Sequence, residues 1–227
     1  MATNLIRCMF DMYHGDSLPA PSYATDQALF VKAKEAGWPM MIHKLTQGSS
    51  FIDPKALGRL LAAKNAGLML GVYHFMNADP VSSQAAYFMH AVGQLRMLLG
   101  VPLLLVVDNE PNPATAGTDT LADGVVGAIK AASGKFPLLY GNRYTIANAR
   151  STKYLIACKY WLAEYGNYPV PPLGYGAFPG TQVPFHQYSD GKVGPHPTDI
   201  PGVGPLDQSE FNGSLDDLAA WFAENAT

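Results

Sequence analysis

The stretch "LLGVPLLLVVDNE", residues 98–110, decides the fold. A glycine closes a helical stretch, Pro102 marks a turn, and the apolar run Leu103–Val107 leads straight into Asp108. An apolar run without alternation reads as a strand buried on both faces, as in a parallel sheet covered by helices. Three other phrases repeat this order: "EAGWPMMIHK" (35–44), "NAGLMLGVYHF" (65–75) and "ASGKFPLLYG" (132–141). Their glycines, with Gly100, are Gly37, Gly67 and Gly134, and successive ones lie 30, 33 and 34 residues apart. Glycine just past a helix is the favoured left-handed cap, and the interval matches one strand–helix unit.

The intervening helices follow from their periods. Residues 25–36 follow a first strand at Leu5–Asp11. Asp53-Pro54 places a capping side chain and an N1 proline before a helix expected to bury Leu57, Leu60 and Leu61. Phe88, Val92, Leu95 and Leu99 share a helix face, as do Leu121, Val125 and Ile129. These units predict a parallel sheet with right-handed crossovers, either open and doubly wound or closed. After Tyr140 the pattern loosens. "YLIACKYWLAEYG" holds a sixth strand, "VPFHQY" a seventh and "PLDQSEF" an eighth, while 166–182 and 189–204 are rich in Pro and Gly without a helical period. "SLDDLAAWFAEN" closes the chain as a helix capped by Ser214. The expectation is an irregular TIM-like (β/α) barrel of eight strands, helices missing between the last ones, with residues 1–227 as a single catalytic domain.

Composition narrows the function. With 48% hydrophobic residues in 227, the chain can bury one large core. Only 15% are charged and no basic run occurs, so nucleic acid is not an expected partner. No apolar run nears the ~18 residues of a membrane span. The opening "MATNLIRCMFDMYHGD" lacks the roughly 7–15-residue apolar core of a signal peptide, so a cytoplasmic location is expected. Cys8 and Cys158 read as separate buried thiols rather than a disulfide.

In βα barrels the C-terminal ends of strands face the active site. Asp108 and Glu110, two residues apart, can project side by side there, and neighbouring carboxylates drive their pKa values apart. The plainer alternative is a pair of solvated acids in a loop. The other strand ends carry Asp11, Lys44, Tyr73, His74, Tyr140, Trp161, Tyr165, Gln187 and Asp207. Acids, flat rings and amides together describe a sugar pocket. Trp161 and Tyr165 also fit as core aromatics, Lys44 is expected to pair with a barrel carboxylate, and His74 to bond a core or cleft acid. His14, His43 and His74 form no H-x-H or HExxH motif, and no GxGxxG loop occurs, so no metal and no cofactor are expected.

In order along the chain stand CMFDMYHG, IHKLTQG, GVYHF with QAAYF, PLLLVVDNE, PLLYGNRYT, YWLAEYG, HQYSDGKV and LDQSEFNGS. From Asp11 to Ser214 this order resembles the glycoside hydrolase family 25 lysozymes, the Chalaropsis-type N-acetylmuramidases. The resemblance implies the irregular barrel and cleavage of the β-1,4 bond between N-acetylmuramic acid and N-acetylglucosamine in peptidoglycan. It implies Glu110 as general acid, Asp108 as the partner that stabilises the cationic centre, and Asp11 and Asp207 as supporting acids. It makes Tyr73 substrate-facing, and His74, Tyr140, Trp161, Tyr165 and Gln187 join it as expected substrate contacts. The family usually has Glu where Gln47 stands, Trp where His186 stands, and Ser then Trp or Tyr where Met12-Tyr13-His14 stand. A wall-cutting monomer without an export signal resembles a phage endolysin, held in the cytoplasm until release. Two other readings stay open: a catalytically silent glycan-binding barrel such as a phage structural component, and a metal-dependent barrel hydrolase.

Overall fold

The computed structural model describes residues 5–19, 23–110, 119–165, 182–195 and 198–227. Strand β1 (Leu5–Met12) leads through α1 (Tyr23–Glu35) to β2 (Met40–Gln47), which forms a short hairpin with β3 (Phe51–Ile52). Helix α2 (Ala56–Asn65), β4 (Met69–Phe75), α3 (Val81–Leu99), β5 (Leu104–Asp108), α4 (Asp119–Ser133) and β6 (Leu138–Asn142) repeat the unit. The short α5 (Arg143–Asn148) and two 3-10 turns (Ala149–Ser151, Leu155–Ala157) precede β7 (Tyr160–Ala163). Then come β8 (Phe185–Ser189), a ribbon of β9 (Asp199–Ile200) and β10 (Gly204–Pro205), β11 (Asp207–Asn212) and α6 (Leu215–Asn225). Eight strands pair in the order β1-β11-β8-β7-β6-β5-β4-β2, and parallel pairing of β1 with β2 closes the ring. This is an irregular TIM-like barrel.

The four repeated glycines punctuate it as their spacing predicts. Gly37, Gly67, Gly100 and Gly134 hold φ of 95°, 78°, 64° and 79°, a left-handed region where a Cβ is strained. Each lets a helix turn back into the next strand.

Two expectations need correction. The eighth barrel strand, β11, is antiparallel to both β1 and β8. A parallel return needs a crossover, usually a helix, and the described residues between β8 and β11 form only the β9–β10 ribbon. The predicted lack of a helix in 166–182 falls, for 166–181, outside the described residues. The second correction concerns α2. It begins at Ala56, after Pro54, and Leu57 is 48% exposed while Leu60 is buried. The helix is rotated because Arg59 faces inward, donating to the carbonyls of Tyr13 (2.6 Å) and Asp16 (2.7 Å). Asp53 instead accepts from the backbone N–H groups of Lys55 and His14.

Strand alternation sorts the side chains into two layers. Outward, Leu70, Val72, Leu105, Val107 and Leu139 pack on Phe88, Val92, Val125 and Ile129 of α3 and α4. Inward, Met9, Met40, Ile42, Leu104, Val106, Leu138, Phe185 and Phe211 fill the lower barrel, with Leu218 of α6 beneath. The barrel is therefore plugged below and open at the mouth. Both cysteines are free and buried. No described helix is long and apolar enough to cross a membrane.

Candidate active site

The inward side chains change character at the top of each strand. Met9 is followed inward by Asp11, Ile42 by Lys44, Val106 by Asp108 and Leu138 by Tyr140. The mouth is a cleft of ≈ 330 Å³ lined by Asp11, Tyr13, Lys44, Tyr73, Phe75, Asp108, Glu110, Tyr140, Trp161, Tyr165 and Asp207. All four acids singled out in the sequence face it.

Local hydrogen bonds hold Asp108 and Glu110 on the same side. Asp108 accepts from Met76 N through its carbonyl (3.0 Å), and Asn109 N donates to the Tyr140 carbonyl (3.0 Å). Asn109 turns away, its amide donating to Asp119 (3.1 Å) and its carbonyl accepting from Thr145 Oγ1 (3.2 Å). Burial, then the neighbouring Glu110, pushes the Asp108 carboxyl well above its ordinary range. Burial also raises Glu110, opposed by Tyr140 and Lys44. One oxygen of Asp108, Oδ1, is buried without a hydrogen-bond partner among the described residues.

Asp207 arrives from the opposite chain direction. It stands at the start of β11, not the end of a strand, and reaches the mouth because β11 is antiparallel. There it is the register partner of Asp11. Burial pushes Asp207 up to about 7, while a hydrogen bond with Asp11 holds it down. Two carboxyls joined this way need a shared proton. Asp11 is raised by burial and by Asp207.

Gln187 lies behind the cleft wall rather than in it. Its Oε1 accepts from the hydroxyls of Tyr140 and Tyr165, each at 2.6 Å, which turns its Nε2 toward Asp11 Oδ2 at 2.8 Å. The amide expected to read substrate is spent on orienting an acid and two phenols. Trp161 is both core and wall: buried, with its indole N–H on Ser209 Oγ (2.9 Å) and its ring edge-on to Tyr140 at 4.6 Å. Tyr73 and Tyr165 line the cleft.

His74 does not line the cleft. One residue after the inward Tyr73, it points outward, bonding Thr46 Oγ1 (2.8 Å) and Gln84 Oε1 (3.2 Å) beside Phe88. It bonds no acid among the described residues, and burial lowers it to about 4, so it is a neutral core imidazole. Lys44 forms no salt bridge among the described residues; its ammonium donates to Gln47 Oε1 at 2.6 Å. His14 and His43 turn to Asp53 and to the Lys44 carbonyl. Among the described residues no group of three His, Cys, Asp or Glu is placed to hold a metal ion. Sequence reasoning did not place Tyr13 and Phe75 in the wall. Strand alternation could have found Phe75, two residues after Tyr73 on β4; Tyr13 enters from the loop after β1, where no period applies.

A closed barrel whose mouth joins paired carboxylates to flat aromatic walls is the architecture of a glycosidase. The chain belongs to glycosyl hydrolases family 25, which matches residues 21–196. It is 28% identical to Lysozyme M1 of Streptomyces globisporus over 201 residues, 82% of this chain and 64% of that protein. A stretch of 68 residues is 32% identical to the autolytic lysozyme of Clostridium acetobutylicum, 30% of this chain and 21% of that one. The chain thus spans less than two thirds of either relative. The bacterial lysozyme of Streptomyces coelicolor shares the fold at TM-score 0.67 and 24% identity, covering 97% of this chain and 98% of that one. The catalytic domain of endolysin ply40 from bacteriophage P40 of Listeria monocytogenes does so at 0.68 and 15%, again covering 97% and 98%.

Proposed function

We propose that this chain hydrolyses peptidoglycan as an N-acetylmuramidase, cutting the β-1,4 bond between N-acetylmuramic acid and N-acetylglucosamine. The observation that carries the reading is the convergence of Asp11, Asp108, Glu110 and Asp207 in one aromatic-walled cleft. Similarity to Lysozyme M1 supports the substrate class.

In this reading the Asp108–Glu110 pair holds one proton near neutral pH, because burial and mutual repulsion oppose two charges. Glu110 is the more exposed of the two and sits at the rim, so it delivers that proton to the glycosidic oxygen as the bond to the anomeric carbon breaks. The charge left on Asp108 faces the oxocarbenium-like centre in a site where water screens little. Tyr73, Tyr140 and Tyr165 offer rings to the apolar faces of the sugars. Asp11 and Asp207 add field from the far wall.

The test is digestion of purified cell walls, followed by turbidity and then by mass spectrometry of the fragments. Reducing-end muramic acid is the expected product. Reducing-end glucosamine would replace the bond assignment with a glucosaminidase, and anhydro-muramic acid with a transglycosylase. Walls bound but left uncut would favour the silent glycan-binding barrel. A rate that collapsed in EDTA and returned with zinc would favour a metal-dependent hydrolase.

A further inference from the structure

Strand β2 carries one irregularity beside the cleft. Its register with β4 runs Lys44↔Tyr73, then Thr46↔His74 and Gln47↔Phe75, leaving Leu45 as an extra residue. Leu45 turns into the core between barrel and helices, and Thr46 bonds the outward His74. The bulge shifts the phase of the strand by one, so Lys44 and Gln47 both face inward although three residues apart. A regular strand would have turned Gln47 out.

The consequence is a held ammonium. Lys44 Nζ donates to Gln47 Oε1 at 2.6 Å and lies 4.4 Å from the Phe75 ring centroid and 5.8 Å from that of Phe51. An amide dipole and two ring faces orient the cation, but none of them carries the negative charge that would neutralise it. The carboxylates that feel Lys44 are Asp108 and Glu110 across the cleft and Asp53 beyond the hairpin. Asp108 in turn faces Lys44, Glu110, Asp207 and Asp11, and the phenols of Tyr73 and Tyr140. Among the described residues, Lys44 is the only cation in that set.

We infer that Lys44 and Gln47 form a charge-setting pair, in which Gln47 fixes the ammonium over Phe75 without neutralising it, so that Asp108 ionises more readily than its burial alone would allow. This rests on the proposed hydrolase reading. The need is physical: a carboxylate buried beside three others tends to take up a proton, and a protonated Asp108 could not stabilise a cation. Lys44 is a positioning residue acting through Asp108. The Glu usual at this position in the family would claim the ammonium in a direct ion pair, whereas the amide of this chain leaves more of that charge to Asp108.

The decisive variant is Gln47→Glu, nearly isosteric with wild type, read by carbon-13 NMR titration of the Asp108 carboxyl and by the pH–rate profile on purified walls. Asp108→Asn identifies the resonance. The Asp108 midpoint should rise by about one unit in Gln47→Glu and by at least as much in Lys44→Met, in line with the usual effect of one nearby opposite charge. The acid limb of kcat/KM should move up by the same amount. Lys44→Arg, which keeps the charge, should shift it less. An unchanged midpoint in folded Gln47→Glu and Lys44→Met overturns the pair. If the wild-type protein leaves walls uncut, the hydrolase reading fails, while the NMR titration still decides whether Lys44 sets the charge of Asp108.

Discussion

The two halves of the barrel bury their outer faces by different means. From β2 to β6, helices cover the strands, and the outward residues Val72, Leu105, Val107 and Leu139 are apolar and packed on α3 and α4. Around β8 and β11 the outward residues are polar and pair with one another. His186 Nδ1 meets Glu210 Oε1 at 3.0 Å and its Nε2 meets the Glu164 carbonyl at 2.8 Å. Tyr188 donates to Gln208 Oε1 at 2.7 Å, and Arg7 lies 5.2 Å from the Tyr188 ring centroid. The first half gains from area removed from water; the second must satisfy every buried polar atom it contains. The cleft is assembled from both, with Asp108, Glu110 and Lys44 from the helical half and Asp207, Tyr165 and the Gln187 brace from the other.

The sharpest break of this contrast is Phe88→Ala. Phe88 is fully buried between α3 and the barrel, so its loss should cost about 3–5 kcal/mol in stability, measured by urea unfolding. A cost below about 1 kcal/mol would show that the helical layer is not the main source of stability.

Next is the acid pair from the same half. Glu110→Gln keeps shape and removes the ionisable proton, so turnover on cell walls should fall at least about a hundredfold with the melting temperature held. Asp108→Asn should also cost heavily. It also removes a like charge beside Glu110, so the alkaline limb of any residual activity should move to lower pH. A folded Glu110→Gln with near-native turnover would end the acid assignment.

In the polar half, Tyr188→Phe deletes one hydroxyl and leaves Gln208 Oε1 short of its donor. The expected loss is about 1–2 kcal/mol, well below that at Phe88. Equal losses at the two sites would erase the distinction drawn between the halves.

The last effect is a pH dependence with an unusual sign. Asp207 titrates at about 7 in the fold against 3.8 as its ordinary value, so the folded state binds the extra proton. Its contribution to stability is therefore greatest below about 3.8 and declines as pH rises toward 7. Asp53, held below its ordinary value chiefly by the Lys55 N–H against the opposing effect of burial, runs the other way and loses its contribution as pH falls. Melting temperature should fall between pH 5 and 8, and Asp207→Asn should flatten that slope. A slope unaltered in the variant would mean that Asp207 is not the group responsible.

Much of the helical half was legible because its signals are local. A glycine with positive φ after a helix, an apolar run and a helical period at Phe88, Val92, Leu95 and Leu99 each depend on residues within one or two turns. Where a long-range demand intervened, the reading slipped: Arg59 reaching back to Tyr13 and Asp16 rotated α2 and exposed Leu57. At the site, the alternation of strands was enough to bring Asp11, Asp108 and Tyr73 to the mouth. It would also have turned His74 outward had the phase of β4 been followed one residue further.

The sequence by itself determined the repeated units, their caps and the residue types at the strand ends, since these follow from chain-local geometry and from which side chains tolerate burial. Only the tertiary structure decided that β11 runs antiparallel, so that Asp207 meets Asp11, and that a bulge at Leu45 brings Gln47 under the Lys44 ammonium. Those outcomes depend on hydrogen-bond register between strands distant in the chain. No local period encodes register, because shifting it by one residue leaves every neighbour in sequence unchanged while turning each side chain to the opposite face.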